Sequence, residues 1–224
     1  MLIVGDEAGD VHTIDKHRRL LHSHNAYTGG RVTHLARLEH SKKSAVIITL
    51  GEDDKFTPLL KIWTLDGNNG KADQIGLLKC TNTTTIQTTQ PFPISVLAVA
   101  QDGLHIAVGF SSGAITILRG DVHSSRAFKQ KTIPSSDEPI TGLAFIADPK
   151  TSLLYISTTS RILSYIVVGK GAGQPAKLVD GLGCALHCSA VDEQTQAFVV
   201  ARDDAICYYK MDGRETAYSA TGMF

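Results

Sequence analysis

The chain carries nine histidines, four cysteines and 22 carboxylates, and four histidines (His12, His17, His22 and His24) fall within thirteen residues. His22 and His24 stand two apart, which puts them on one face of a strand. A zinc or copper pair is one reading. No nearby cysteine or carboxylate completes a ligand set at a familiar spacing, and a solvated edge strand fits these residues better. Glu52, Asp53, Asp54 and Lys55 suggest a calcium loop, yet the alternating ligand spacing such a loop needs is missing, so they read as a solvated turn. Residues 168–174, VGKGAGQ, look superficially like a phosphate cradle. A P-loop requires GxxxxGK[ST] opening a helix, whereas here Lys170 precedes most of the glycines and Pro175 with AKLV follows. That stretch is a turn.

Cys80, Cys184, Cys188 and Cys207 include no CxxC pair and match no common zinc spacing, and four cysteines are too few for a dense disulfide framework in 224 residues. They read as free thiols, buried or partly buried, in a reducing compartment. No GxSxG elbow, HExxH helix or diagnostic carboxylate pair occurs. The sequence therefore predicts no catalytic, cofactor-binding or metal-binding residue, and no cofactor. The chain reads as a non-enzyme. Asn82, Thr83 and Thr84 fit a glycosylation sequon, which carries little weight without a secretory signal.

Lysine plus arginine equals aspartate plus glutamate at 22 each, so no global field draws the chain to nucleic acid or to anionic lipid. Asp6, Glu7 and Asp10 interrupt what a signal peptide would need as an apolar core, and no run reaches the ~18 apolar residues of a membrane helix. The expectation is a soluble, cytosol-facing protein without a transmembrane segment. Its 42% apolar content supplies a sizeable core.

The elements that must position any site are short and repeated. Residues 94–118, ISVLAVAQDGLHIAVGFSSGAITIL, hold three apolar runs separated by Gln101-Asp102-Gly103 and Ser111-Ser112-Gly113, both suited to tight turns. The pattern is a three-stranded meander. It recurs at 140–166, at 185–209 and, stretched, at 32–65, while LIVGDEAGDVHTI at residues 2–14 matches its last two runs as a hairpin. Unit starts at Val32, Ile94, Ile140 and Ala185 lie 62, 46 and 45 residues apart. The last two are close to the ~40–45 residues of one four-stranded propeller blade. The prediction is an all-β, WD40-like β-propeller, partial, with about four to five blades of a larger ring.

Outer strands are expected near Leu20 and Leu21, near Leu77 and Leu78, and in FKQKTI, where Phe128 points inward and lysines outward. The basic residues 126–131 raise the idea of a phosphate or lipid patch, largely cancelled by the acids at 137–138. Trp63 is expected in the core or between blades. Residues 66–93 form the longest irregular stretch, either a partner-contact loop or a disordered one. Residues 212–224 leave the repeat pattern and show no apolar period.

The wording of the chain resembles a known family. VTHLARL, LGEDDKFTPLLKIWTLD, LHIAVGFSSGAITILRGDV, EPITGLAF, SYIVVGKG and CALHCSA together are similar to the vacuolar protein sorting-associated protein 11 family, over about residues 2–210. KIWTL looks like the third strand of a WD repeat, although Gly-His and Trp-Asp signatures are missing. The resemblance implies a core subunit shared by the HOPS and CORVET complexes, which tether endosomal, lysosomal or vacuolar membranes before SNARE-driven fusion. It implies other sorting subunits as partners, Rab GTPases and SNAREs indirectly, and no nucleic acid. The implied place is the cytoplasmic face of late endosome, lysosome or vacuole, reached through the complex, and the cytoplasm. Family members continue into an α-solenoid and a zinc-binding RING domain. This chain is expected to begin inside the first blade and to stop after about four and a half, with residues 215–224 as the end of a truncated or alternative product. With no CxxC pairs, the RING's zinc and any ubiquitin-ligase role do not carry over. The alternative function is a generic WD-like adaptor such as a ubiquitin-ligase substrate receptor.

Overall fold

Side chains that alternate along an extended chain give each strand two faces. Here those strands assemble, in a computed structural model, into five antiparallel sheets joined in sequence order. The structure describes residues 1–41, 44–65, 76–88, 92–133, 137–192, 194–203 and 205–219. The first sheet has three strands, β1 (Leu2–Gly5), β2 (Asp10–Ile14) and β3 (Leu20–Asn25). The second runs β4 (Gly30–Ser41), β5 (Ser44–Asp53), β6 (Pro58–Leu65) and β7 (Leu78–Thr85). The third contains β8 (Ile94–Val99), β9 (His105–Phe110), β10 (Ile115–Arg119) and β11 (Lys129–Ile133). The fourth holds β12 (Ile140–Ala147), β13 (Ser152–Thr158), β14 (Ile162–Val168) and β15 (Lys177–Asp180). The fifth comprises β16 (Ser189–Asp192), β17 (Ala197–Ala201), β18 (Ala205–Lys210) and β19 (Gly213–Ser219). Each sheet is a simple meander. The first strands of successive four-stranded sheets, β4, β8, β12 and β16, neighbour one another in order, and β1 lies against β4. This is a partial β-propeller. No helix long and apolar enough to cross a membrane occurs among the described residues.

The two turns of the third blade behave as their residues dictate. Gly103 and Gly113 take positive φ (68° and 85°), and their amides close turns onto Ala100 O and Phe110 O at 2.9 and 3.0 Å. Asp102 Oδ1 accepts the Leu104 amide at 2.8 Å, tightening the first.

Packing explains why the blades stack. On β9, Ile106, Val108 and Phe110 enter a core shared with Val46, Ile48, Leu50, Leu60 and Ile62 of the second blade. The residue between them, Ala107, enters a different core with Leu154 and Ile156 of the fourth. Strand β13 repeats the split: Leu154 and Ile156 face the third blade, while Leu153 and Tyr155 face Phe198, Val200 and Tyr209 of the fifth. Val11, Tyr27, Ile47 and Trp63 form the corresponding core between the first and second. Every residue of β9 and of β13 is buried as a result. One side of β9 is large and the other small, which narrows the seam. A Cβ on Gly109 would sit 2.7 Å from Ile140 Cγ2, so β9 closes on β12 only because that position has no side chain.

Three sequence expectations shift. Residues 213–219, expected to leave the repeat, form β19 and pair with β18 from Ala205 to Lys210, completing a fourth four-stranded sheet. A polar segment carries no apolar period, but an unpaired neighbouring strand supplies a ladder that needs none. The fifth blade's pairing begins at Ser189, not Ala185, because a turn from Ala185 O to the Cys188 amide (3.2 Å) precedes it. Within 66–93, residues 78–85 are the ordered outer strand β7, while the turn at 66–70 and Thr89 and Gln90 lie outside the described residues.

Among the described residues no strand packs on the far face of the fifth blade. Val199 is half-buried, and Ala201 and Ile206, cross-strand partners there, are exposed, Ile206 by 43%. Apolar faces of this kind drive association. The isolated chain should therefore self-associate in light scattering, and Ile206→Glu should reduce that association; a monodisperse monomer with a cooperative melt would contradict this. At the seam, Gly109→Val should destabilise the fold by about 1–3 kcal/mol through overpacking, read by denaturant unfolding.

Candidate interaction surfaces

The side chains with chemical potential are mostly spent holding blades and turns. His12 Nε2 hydrogen-bonds Asp6 Oδ2 at 2.9 Å, and the ligand atoms of Asp6, Asp10 and His12 lie within 4.8 Å of one another. That trio is invisible to the histidine spacing, because the β1–β2 turn brings the two acids in. Its atoms are already engaged: Asp6 Oδ1 accepts the amides of Ala8 and Asp10, and Asp10 Oδ1 accepts Asn25 Nδ2 at 2.7 Å. The group clamps a turn. His22 and His24 do share a face of β3, with ring centroids 6.2 Å apart. His24 packs against Trp63 at 6.1 Å, its Nε2 accepts the Leu78 amide at 3.4 Å, and burial lowers its pKa. His17 lies apart in the β2–β3 turn, where its amide donates to Asp15 Oδ1.

The acids at 52–54 also separate. Glu52 is buried, ion-paired with Arg31, and its second oxygen accepts the Ile94 amide at 3.2 Å, so it fastens the second blade to the third. Asp53 Oδ1 instead caps its own turn, accepting from Lys55 and Thr57. The cysteines are free thiols, Cys184 and Cys207 buried and Cys80 exposed. Arg202 Nη1 lies 3.5 Å from Cys207 Sγ.

Buried polar groups form rivets within and between blades. Trp63 Nε1 donates to Thr49 Oγ1 at 2.9 Å, and the Tyr27 hydroxyl meets the same oxygen at 2.6 Å, with the Lys61 ammonium 5.4 Å from the Tyr27 ring. Burial raises the Tyr27 pKa. Between the fourth and fifth blades, Arg202 donates to the Tyr209 hydroxyl at 2.8 Å and to Gly183 O, and pairs with Asp180 at 3.1 Å, while Tyr209 donates to Asp180 Oδ2 at 2.7 Å. Burial works against the Asp180 carboxylate, but the hydrogen bonds from Tyr209 and Arg202 outweigh it and hold its pKa below the ordinary value. Lys131, the last cation of the basic segment, is exposed as expected and donates to Tyr165 OH of the fourth blade at 3.0 Å. The rest of that segment stays outside: Arg126 and Lys129 border an open furrow on the third blade.

Glu138 is more consequential than its place in a charge-cancelling run suggests. Its carboxylate accepts Thr158 Oγ1 at 2.6 Å, Ser160 Oγ at 2.6 Å, the Ser160 amide at 3.2 Å and Arg161 Nη2 at 2.9 Å. These partners, Ser160 first, lower its pKa from 4.5 to about 2. No spacing signal links residue 138 to 158–161; only the β12–β13–β14 register does. A carboxylate whose folded pKa is depressed stabilises the fold above its unfolded value and loses that contribution as pH falls through the folded value. As pH drops from 4.5 towards about 2, the wild-type chain should lose stability more steeply than Glu138→Gln, measured by denaturant midpoints across that window.

What remains displayed is surface between blades. A cavity of about 540 Å³ between the fourth and fifth blades is bordered by Tyr155, Lys170, Lys177 and Met211. Another, of about 420 Å³ between the third and fourth, is bordered by Leu104, His105, Arg119, Lys150 and Val168.

Comparison with known proteins agrees with this geometry. The family described as PEP5/VPS11 N-terminal matches residues 1–223. Vacuolar protein sorting-associated protein 11 homologs of Homo sapiens and Mus musculus are each 34% identical over 225 aligned residues, covering 99% of this chain and 23% of theirs. The chain thus spans about a quarter of the length of these relatives. A solved structure described as the Dos1 propeller superposes with a TM-score of 0.57 at 11% identity, over 94% of this chain and 51% of that one. At that identity the likeness concerns the fold alone.

Proposed function

The chain belongs to the PEP5/VPS11 N-terminal family, and we propose that it is a non-enzymatic interaction scaffold within a complex that tethers endosomal, lysosomal or vacuolar membranes ahead of fusion. The observation that carries this reading is the mutual hydrogen bonding of two clusters of buried polar side chains. Trp63, Thr49 and Tyr27 form one, fixing the β3–β4 connection to the second blade; Arg202, Asp180 and Tyr209 form the other, between the fourth and fifth. Groups locked into mutual hydrogen bonds inside a seam are poor general acids or nucleophiles, whose work requires reach to a substrate proton or carbon. Rigid blades instead present loops and grooves at fixed positions, which suits binding.

Its partners, in this reading, are other vacuolar protein-sorting subunits, with Rab GTPases and SNAREs engaged through the assembled complex. Membrane association is peripheral, on the cytoplasmic side of late endosome, lysosome or vacuole. Equal numbers of cationic and anionic side chains favour protein partners over nucleic acid. The names of the 34% identical relatives support the sorting role.

Affinity capture of the tagged chain from cells, with quantitative mass spectrometry, tests this. Recovery of other sorting subunits is the expected result. A partner set dominated by cullin components would overturn it in favour of a ubiquitin-ligase adaptor.

A further inference from the structure

The first blade differs from the other four at one strand position. In the second to fifth blades an innermost strand (β4, β8, β12 or β16) ladders onto the second strand (β5, β9, β13 or β17). Among the described residues the first sheet holds only β1, β2 and β3. Its outer strand is present, because β3 leads into β4 as β7 leads into β8. The β1–β2 turn matches the β9–β10 turn: Asp6 N–H donates to Asp10 O at 3.1 Å, as Phe110 N–H donates to Ala114 O at 3.0 Å. Gly5 then stands where Gly109 does. A Cβ on Gly5 would strike Val32 of β4, as one on Gly109 would strike Ile140 of β12. Strand β1 is therefore a second strand whose inner neighbour is missing.

The backbone on that side is unspent. In an antiparallel ladder, hydrogen-bonded pairs alternate with pairs whose N–H and C=O point away. Counting from Asp6–Asp10, the bonded pairs are Val4–His12 and Leu2–Ile14, so Ile3 and Gly5 direct their N–H and C=O to the open side. In the third blade the equivalent residues, Ala107 and Gly109, pair on that side with Ala98 and Val96 of β8.

Side chains are uncovered at the same place. A cavity of about 350 Å³ lies beside the open edge, bordered by Met1, Leu2 and Ile3 of the first blade and Leu35, Ile47 and Leu65 of the second. Arg37 is the one charged side chain in its lining, and it is already paired with Glu39 at 2.9 Å. Leu35, Leu97 and Leu143 follow the register shift of β4, β8 and β12 at the same spacing. Where the preceding blade supplies an inner strand, Leu97 is half-buried and Leu143 is 6% exposed, whereas Leu35 is 38% exposed. Ile3 packs toward the second blade, and directly opposed residues of a ladder share a face. A residue set opposite Ile3 therefore points at this cavity.

We propose that the first blade takes up an extended segment of a partner protein as its innermost strand, antiparallel to β1. The segment exchanges backbone hydrogen bonds with Ile3 and Gly5, and seats an apolar side chain opposite Ile3 over Leu35 and Ile47. Affinity in such strand addition comes from the main chain, and selectivity from the pockets that receive alternate side chains. The position lies on the inner side of the ring beside β4. One lone strand fits there, whereas a second copy would have to bring its neighbouring strands in with it.

This inference goes beyond the tethering role and does not depend on which protein supplies the segment, so failure to capture sorting subunits leaves it standing. The test uses the full chain. The probe is a fluorescent peptide carrying the β8 sequence ISVLAV between lysines, whose second alanine-type position, equivalent to Ala98, falls opposite Ile3. Anisotropy should show saturable binding. Methylating the backbone nitrogen at that alanine, or replacing it with aspartate, should weaken binding by about tenfold, as the loss of one hydrogen bond or one apolar contact implies. Leu35→Glu should do the same with an unchanged melt, while Ile206→Glu, at the far blade, should bind as the wild type does. Hydrogen exchange should slow at the Ile3 and Gly5 amides when peptide is added. No binding, equal binding of the methylated peptide, indifference to Leu35→Glu, or protection appearing at another blade would overturn the proposal. So would Ile3 and Gly5 amides already protected in dilute peptide-free chain, which assigns the edge to the same polypeptide, or protection that grows with chain concentration, which assigns it to a second copy.

Discussion

The fold depends on one constraint: the central strands β9 and β13 must each satisfy two different cores with alternate residues. In an ordinary sandwich one face of a sheet is buried and the other is wet. Here Ile106, Val108 and Phe110 look back to the second blade while Ala107 looks forward to the fourth, and Leu154 and Leu153 divide in the same way on β13. No strand ladder joins one sheet to the next, so the blades are held by apolar stacking and by single polar links such as Glu52 to the Ile94 amide and Arg202 to Asp180. Stability therefore resides in the seams, and Gly109 against Ile140 shows how little slack they have.

That constraint also governs the polar side chains. A group buried in a seam must find its partner there or cost free energy. Thr49 receives Trp63 Nε1 and meets Tyr27, and Asp180 is matched by Arg202 and Tyr209, so these groups read as joints rather than reaction centres. The Asp6–Asp10–His12 trio follows the same economy at a turn. Among the described residues His105 departs from it with two buried ring nitrogens that have no partner, and His12, Thr13, His34 and Ser95 each leave one buried atom unmatched.

Much of the architecture was legible in the chain. Runs such as LHIAVGF and LLYIST, apolar at consecutive positions and bounded by turn residues, announce strands buried on both faces, and their recurrence announces blades. The outer strand ahead of Ile133 was legible from Phe128, which is buried as its alternation requires. Strand β19 was not, because its polar residues have no pattern of their own and its pairing is dictated by β18. The basic segment was visible as a charge run with its lysines outward, but the reach of Lys131 to Tyr165 of the fourth blade was not.

Sequence by itself determined the repeat, the strand class and the absence of familiar catalytic frames, because these depend on local chemistry: turn propensity, alternation and motif spacing. Its phrases also pointed to the family. Tertiary structure alone decided which residues meet. Glu138 reaches 158–161, Glu52 reaches Ile94, and Arg119 comes to the rim of a groove with Lys150 and His105 through blade register and stacking. Those distances run between strands far apart in the chain, and no local pattern encodes them.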